Sequence, residues 1–450
     1  MTFVPPVAVR SQLRNGIPVF VVKQDSPFVA IRLVALGGLP ELGPDRAEAI
    51  NLTLDLMRAG TTDQSWNTLR QTYAAESMTE PTSYVQPDYV AMAMVAPAEK
   101  LSRAADLLAG IVRRPAFDET EVARIGLMHA QGRESQANEV LTIADRALPR
   151  LLFGKHPYAA LAGTPAQIRA LKRADVVAIH ARLFQASRLA FFVAGSVEPD
   201  DATKALDATF GDMKATGAAP PAAPTPRPPS GPRLLLVDKP GTSIAAIVGG
   251  FTGPAFAAPD VWAAIVATNV LADGVEGRLA LRLREELGAV GWIGLERSQI
   301  RSGGWLAWET RASTDRVVQV LQESDRIIRA LASKGPTDDE LVAMRNRAAF
   351  SFAASFEAAS DTARVFADGW GAGEPLERLA ERPKRIAALS ADDVRAAAAR
   401  YLDADRMRVV VVGDASSLAQ PLAELGWGPV DVRDLEGRPV AAHGSARASR

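Results

Sequence analysis

The chain has 450 residues, too many for one ordinary hydrophobic core, so two or more domains are expected. Its 48% hydrophobic and 23% charged residues are the balance of a soluble globular protein and exclude a disordered one. A formal net charge of −1 leaves no electrostatic footprint for nucleic acid or for an anionic membrane.

Taken in chain order, Met1 to Pro6 lacks the basic and apolar regions of a signal peptide. Val19 to Val22 reads as a short strand, followed by a turn and a second apolar strand. Ile50, Leu54 and Met57 recur at helical spacing and predict a helix with one buried stripe. Phe117-Asp118-Glu119-Thr120-Glu121-Val122 reads as a helix start, with acidic residues in the first turn where the helix dipole favours them. Ser187 to Gly195 reads as a buried strand running into a turn. Ala215 to Gly231, with six prolines among small residues, holds neither a helix nor a central strand and is expected to be extended and solvated.

After this segment the pattern repeats. Leu234 to Val237 is again a short strand, and Gly249-Gly250 reads as a strand-to-turn passage. Leu279, Leu283 and Leu287 form an apolar helical stripe with Gly288 as its stop. Pro336 to Leu341 is a second acidic helix start, and Asp405 to Gly413 a second buried strand. Matched landmarks are shifted by 218 (187 to 405), 219 (117 to 336) and 215 (22 to 237). So constant a shift argues for duplication. The predicted fold is α+β: two homologous halves, 1–214 and 232–450, each with helices packed on one face of a mostly antiparallel sheet, joined by the Pro/Ala-rich linker 215–231.

Residues able to carry chemistry are few. There are no cysteines, which removes disulfides, thiolate metal sites and cysteine nucleophiles together. Of the four histidines, His129, His156, His180 and His443, no two lie within four residues, so none can pair on one helix face to bind a metal. Each reads as an ordinary surface or core residue. No Ser-His-Asp spacing stands out, and no run of about 18 apolar residues is present to span a membrane as a helix.

Several phrases, in order along nearly the whole chain, resemble the short bacterial members of the pitrilysin/insulinase family of zinc metallopeptidases. They are Ala59-Gly60-Thr61-Thr62, Arg114 to Glu119, Phe153 to Tyr158 followed by Gly163-Thr164-Pro165, Val193-Ala194-Gly195 and Gly428-Pro429-Val430. The resemblance implies a clamshell of two halves. It also implies an inverted zinc motif, His-x-x-Glu-His, on the helix before Gly60, in which two His bind zinc, the Glu activates water and a distant Glu completes the site. The matching positions here are Asn51, Leu52, Thr53, Leu54 and Asp55. Leu54 cannot act as a base, and Asn51 with Asp55 is a weak oxygen pair better suited to a hard cation, so no metal or other cofactor is expected in this chain. His156, in the family's structural His-Pro-Tyr phrase, is not expected to be a ligand.

The family also uses an Arg and, seven residues later, a Tyr from the second half to hold substrate. Arg284 matches the Arg; the Tyr position falls on Gly291, with Trp292 next to it. Trp lacks the phenolic hydroxyl and replaces it poorly. Arg284 reads either as a clamp on a substrate carbonyl or carboxylate or as a solvated Arg paired with Glu285 or Glu286.

The function this implies is that of a non-catalytic, chamber-forming, substrate-contacting subunit of a heterodimeric zinc peptidase acting on peptides. The zinc would sit in a homologous partner with an intact His-x-x-Glu-His motif. The alternative is a structural or peptide-binding scaffold without a part in hydrolysis; an active enzyme with an unrecognised site is the third reading. The family points to the periplasm, and the absence of a signal peptide to the cytoplasm.

Overall fold

The computed structural model describes residues 3–159 and 163–440. Before the linker lie strands β1 (Val9–Gln12), β2 (Pro18–Lys23), β3 (Phe28–Leu36), β4 (Thr82–Gln86), β5 (Tyr89–Pro97) and β6 (Leu189–Gly195). After it lie β7 (Leu234–Asp238), β8 (Ile244–Gly253), β9 (Gly294–Ile300), β10 (Gly303–Ser313), β11 (Arg408–Gly413) and β12 (Val430–Arg433). They form two six-stranded sheets, ordered β1-β2-β6-β3-β5-β4 and β12-β7-β11-β8-β10-β9.

The duplication is visible in the pairing. In the first sheet β2 runs parallel to β6, and β3, β5 and β4 follow antiparallel. In the second, β7 runs parallel to β11, and β8, β10 and β9 follow antiparallel. Only the sixth strand differs: β1 is antiparallel to β2, whereas β12 is parallel to β7.

The helices of the first half are α1 (Leu39–Leu42), α2 (Ala47–Arg58), α3 (Trp66–Ala75), α4 (Leu101–Arg113), α5 (Glu119–Gln136), α6 (Val140–Phe153), α7 (Pro165–Arg169), α8 (Arg173–Leu183) and α9 (Pro199–Phe210). Those of the second are α10 (Val261–Ala272), α11 (Val317–Lys334), α12 (Asp338–Ala354), α13 (Ala359–Gly371), α14 (Glu377–Ala387), α15 (Ala391–Tyr401) and α16 (Ala415–Ala423). Both acidic helix starts found in the sequence open long helices, α5 and α12.

Packing does not follow the contiguous division 1–214 and 232–450. One compact unit joins Met1–Arg133, Ala162–Ala223 and Ala349–Lys384; the other joins Glu134–Leu161, Pro224–Ala348 and Arg385–Arg450. Helix α13 thus belongs with the first sheet and α6 with the second. The reason is that central strands such as β6 are apolar at every position and need cover on both faces. Phe191 stacks edge-on against Phe210 of α9, while its neighbour Phe192, facing the other way, meets Trp370 of α13. In the second unit, Leu148 of α6 packs onto β8 at Gly250, where a Cβ would come within 2.7 Å of the leucine.

Two local expectations change. Gly249-Gly250 lies inside β8, not at a turn: Gly249 makes room for the Trp308 ring on the neighbouring strand. The linker has no helix or strand, but it is pinned and not simply solvated. Ala223 is buried, the Pro224 carbonyl accepts from His156 at 2.7 Å, and the Pro229 carbonyl accepts from Arg408 at 2.7 Å.

Candidate functional site

Helix α2 carries residues 51–55, the positions at which the sequence resemblance places the inverted zinc motif. Its apolar stripe, Ile50, Leu54 and Met57, is almost wholly buried, and the helix packs against β4 and α8. Leu54, at 1% exposure, is a core residue, while Asn51 points to solvent. Asp55 is half-buried and already engaged: Arg58, one turn on, pairs with one of its carboxylate oxygens, and His129 with the other at 2.8 Å.

His129 comes from α5, and its second ring nitrogen lies 2.8 Å from Glu48, also on α2. Arg133, four residues along α5 on the same face, holds the other Glu48 oxygen at 2.9 Å. The result is a closed chain of ion pairs, Arg58–Asp55–His129–Glu48–Arg133. Hydrogen bonds to Asp55 and then Glu48 push the His129 pKa up to about 9. Burial by itself would raise both carboxyls, but the His129 bond and the neighbouring arginines hold Glu48 and Asp55 below the ordinary carboxylate range.

An imidazole that donates through both nitrogens has no lone pair left for a metal. With Leu54 in the core, Asn51 turned outward and Asp55 tied to two cations, these residues do not fit zinc, and no water-activating base stands among them. His129 was expected to be an ordinary residue. It lies 74 residues from Asp55 and 81 from Glu48, separations that no local motif records.

The other histidines have structural roles. His156 bonds to the Pro224 carbonyl and accepts from the Tyr158 amide at 3.0 Å. His180 bonds to the Val112 carbonyl at 2.8 Å, and burial lowers its pKa. His443 lies outside the described residues.

Arg284 sits in the second unit on a π-helical segment, Ala280–Glu286, where a regular α-helical stripe was expected. The Ala289 amide reaches back six residues to the Leu283 carbonyl at 2.8 Å, and the Leu287 amide reaches back five to Arg282 at 3.1 Å. Leu279 and Leu283 are still fully buried, and Gly288 turns the chain with φ +54°. The Arg284 guanidinium binds Glu285 at 2.6 Å and the Gly274 carbonyl at 2.6 Å. Trp292 is half-buried, and its carbonyl accepts from the Thr310 hydroxyl.

The second unit also gathers three carboxylates that no sequence pattern linked. Asp145 of α6, Glu296 of β9 and Glu309 of β10 bring ligand oxygens within 4.8 Å of one another. Burial, and then the Glu309 charge, push Asp145 up to about 8; burial and Glu309 also raise Glu296. All-oxygen donors suit a hard cation, but near neutrality a retained proton relieves the same repulsion.

Residues 170–348 match the sequence profile described as the peptidase M16 inactive domain. The chain overlays a solved peptidase M16 inactive domain from Pseudomonas fluorescens with a TM-score of 0.83 at 20% identity, covering 90% of this chain and 98% of that one. It overlays a protease from Helicobacter pylori with a TM-score of 0.84 at 17% identity, covering 91% and 100%. The chain thus has the fold of M16-type peptidases, and over residues 170–348 it is similar in sequence to their inactive domain.

Among curated sequences, the chain is 27% identical over 246 residues to an uncharacterized zinc protease of Mycobacterium leprae, a match covering 53% of this chain and 54% of that protein. It therefore spans about half the length of the curated relatives it matches. The inactive-domain profile covers Arg284, Trp292, Glu296 and Glu309 and stops short of α2.

Proposed function

We propose that this chain is an M16-type protein and the non-catalytic, substrate-contacting subunit of a heterodimeric zinc peptidase, with the metal carried by a homologous partner that keeps His-x-x-Glu-His. The observation that carries this reading is the state of α2 and its neighbour β4. Leu52, Thr53 and Leu54 are locked into the core and Asp55 into ion pairs, leaving only Asn51 exposed, while β4, packed against α2, is the outermost strand of its sheet. An outer strand offers a row of backbone donors and acceptors to which an extended peptide adds as a further strand, with little demand on its sequence. A periplasmic location draws on one structural relative described as a periplasmic protease of Escherichia coli, 15% identical to this chain.

The commitment of Arg284 to Glu285 and the Gly274 carbonyl favours a second reading, a scaffold that binds peptide or partner without assisting hydrolysis. Affinity purification from the native host, with partners identified by mass spectrometry, separates the two. Recovery of a chain bearing His-x-x-Glu-His, whose chelator-sensitive peptide hydrolysis rises when this subunit is added, supports the heterodimer. Recovery of such a chain with no change in its hydrolysis supports the scaffold. Failure to associate with any such chain overturns the proposal.

A further inference from the structure

At the start of β7, where the linker enters the second sheet, a cavity of about 660 Å³ is walled by Arg233, Arg408, Asp405 and Trp427. Its charges do not balance. Arg233 pairs with Asp325; Arg329 pairs with Asp325 at 2.8 Å and with Asp405 at 2.5 Å. Arg233 and Arg329 thus take up both carboxylates, and Arg408 is left over. That residue is only 7% exposed, and among the described residues no carboxylate pairs with it.

The partners of Arg408 are neutral carbonyls: Pro229 at 2.7 Å, Arg406 at 3.2 Å and Met407 at 3.3 Å. Its Nε has no hydrogen-bond partner, nor has the Nε of Arg233, whose guanidinium lies 3.8 Å from the centre of the Trp427 ring. Burial, and then the like charge of Arg233, lower the Arg408 pKa. A buried guanidinium without a counter-charge is costly unless something outside the chain neutralises it. Arginine forks match oxyanions in bidentate fashion, and the cavity lies within the size range of small-ligand sites, about 300–1,000 Å³.

We propose that this cavity is an oxyanion site, in which Arg408 and Arg233 receive a carboxylate or phosphate group and the Trp427 ring forms an apolar wall. Nothing in this depends on the peptidase-partner reading above, because every group involved belongs to the second unit of this chain.

The test uses the full chain and two probes, inorganic phosphate and acetate, titrated against sodium chloride at matched ionic strength. Tryptophan fluorescence is read in wild type and in Trp427→Phe, so that the ring beside Arg233 can be identified as the reporter. The expected result is a saturable change that chloride does not produce, with half-saturation on the order of 1 mM, as one charge-assisted site provides. A stronger response to phosphate marks a tetrahedral oxyanion as the preferred group, and a stronger response to acetate marks a planar carboxylate. Arg408→Met should abolish the response. Asp405→Asn, at an exposed position where folding is not at risk, removes a negative charge from the cavity wall and should tighten binding about three-fold or more. A response no larger than that to chloride, or one unchanged in both Arg408→Met and Asp405→Asn, overturns the proposal.

Discussion

Replacing His129 by Leu removes the cation between two carboxylates and tests whether that ion chain holds α2 to α5. The His129 and Glu48 side chains are 16% and 10% exposed, and Asp55 is 32% exposed. With the His129 pKa pushed up to about 9, against an ordinary value near 6.5, the difference corresponds to at most roughly 3 kcal/mol. Solvent around Asp55 reduces this to about 2 kcal/mol. Because the folded-state pKa is raised, this stabilisation is fully present below about pH 6.5 and disappears as pH climbs through about 9. Urea unfolding of wild type and His129→Leu at pH 6, 7.5 and 9.5 reads the effect, with hydrogen exchange in α2 and α5 reporting the first unit separately. Wild type should exceed the variant by about 2 kcal/mol at pH 6, and the gap should narrow by pH 9.5. A gap independent of pH, or an imidazole that titrates at its ordinary value by NMR, would refute the argument.

Four further outcomes are expected. Asp145 has a raised pKa of about 8, so its contribution to stability falls as pH rises from about 4 to 8; Asp145→Asn should gain about 2 kcal/mol over wild type by pH 8 and little at pH 4, read by urea unfolding. Leu54→Glu restores a carboxylate to the motif position but forces it into the core; a loss of more than about 3 kcal/mol in thermal or urea unfolding is expected, with no peptide hydrolysis gained. Leu148→Ala should cost about 3 kcal/mol, and the loss of exchange protection should concentrate in β8 and β11. Segments 1–214 and 232–450 expressed separately should bind a hydrophobic dye and aggregate, since each lacks the helix that covers one face of its sheet, and mixing them should reduce dye binding; a monomeric, cooperatively unfolding 1–214 would count against this.

How far the sequence reached depends on the range of the interaction. The apolar runs at 189–195 and 409–413 identified two equivalent buried strands, because a strand covered on both faces is apolar at almost every position. The acidic starts of α5 and α12 were equally legible, since capping and dipole effects act within one turn. The helix over Ile50, Leu54 and Met57 was legible too, because its buried stripe repeats at the helical period.

Partners across tens of residues could not. His129, Glu48 and Asp55 meet only because α5 packs beside α2, and Asp145 reaches Glu309 only because α6 joins the second unit. The wide turns around Arg284 depend on the surrounding core, not on the helical period of its leucines. By itself the sequence determined the α+β class and the duplication, both consequences of local periodicity and residue type. Only the tertiary structure decided which helix covers which sheet face and which charges meet, because burial and long-range pairing exist only once the chain has closed on itself.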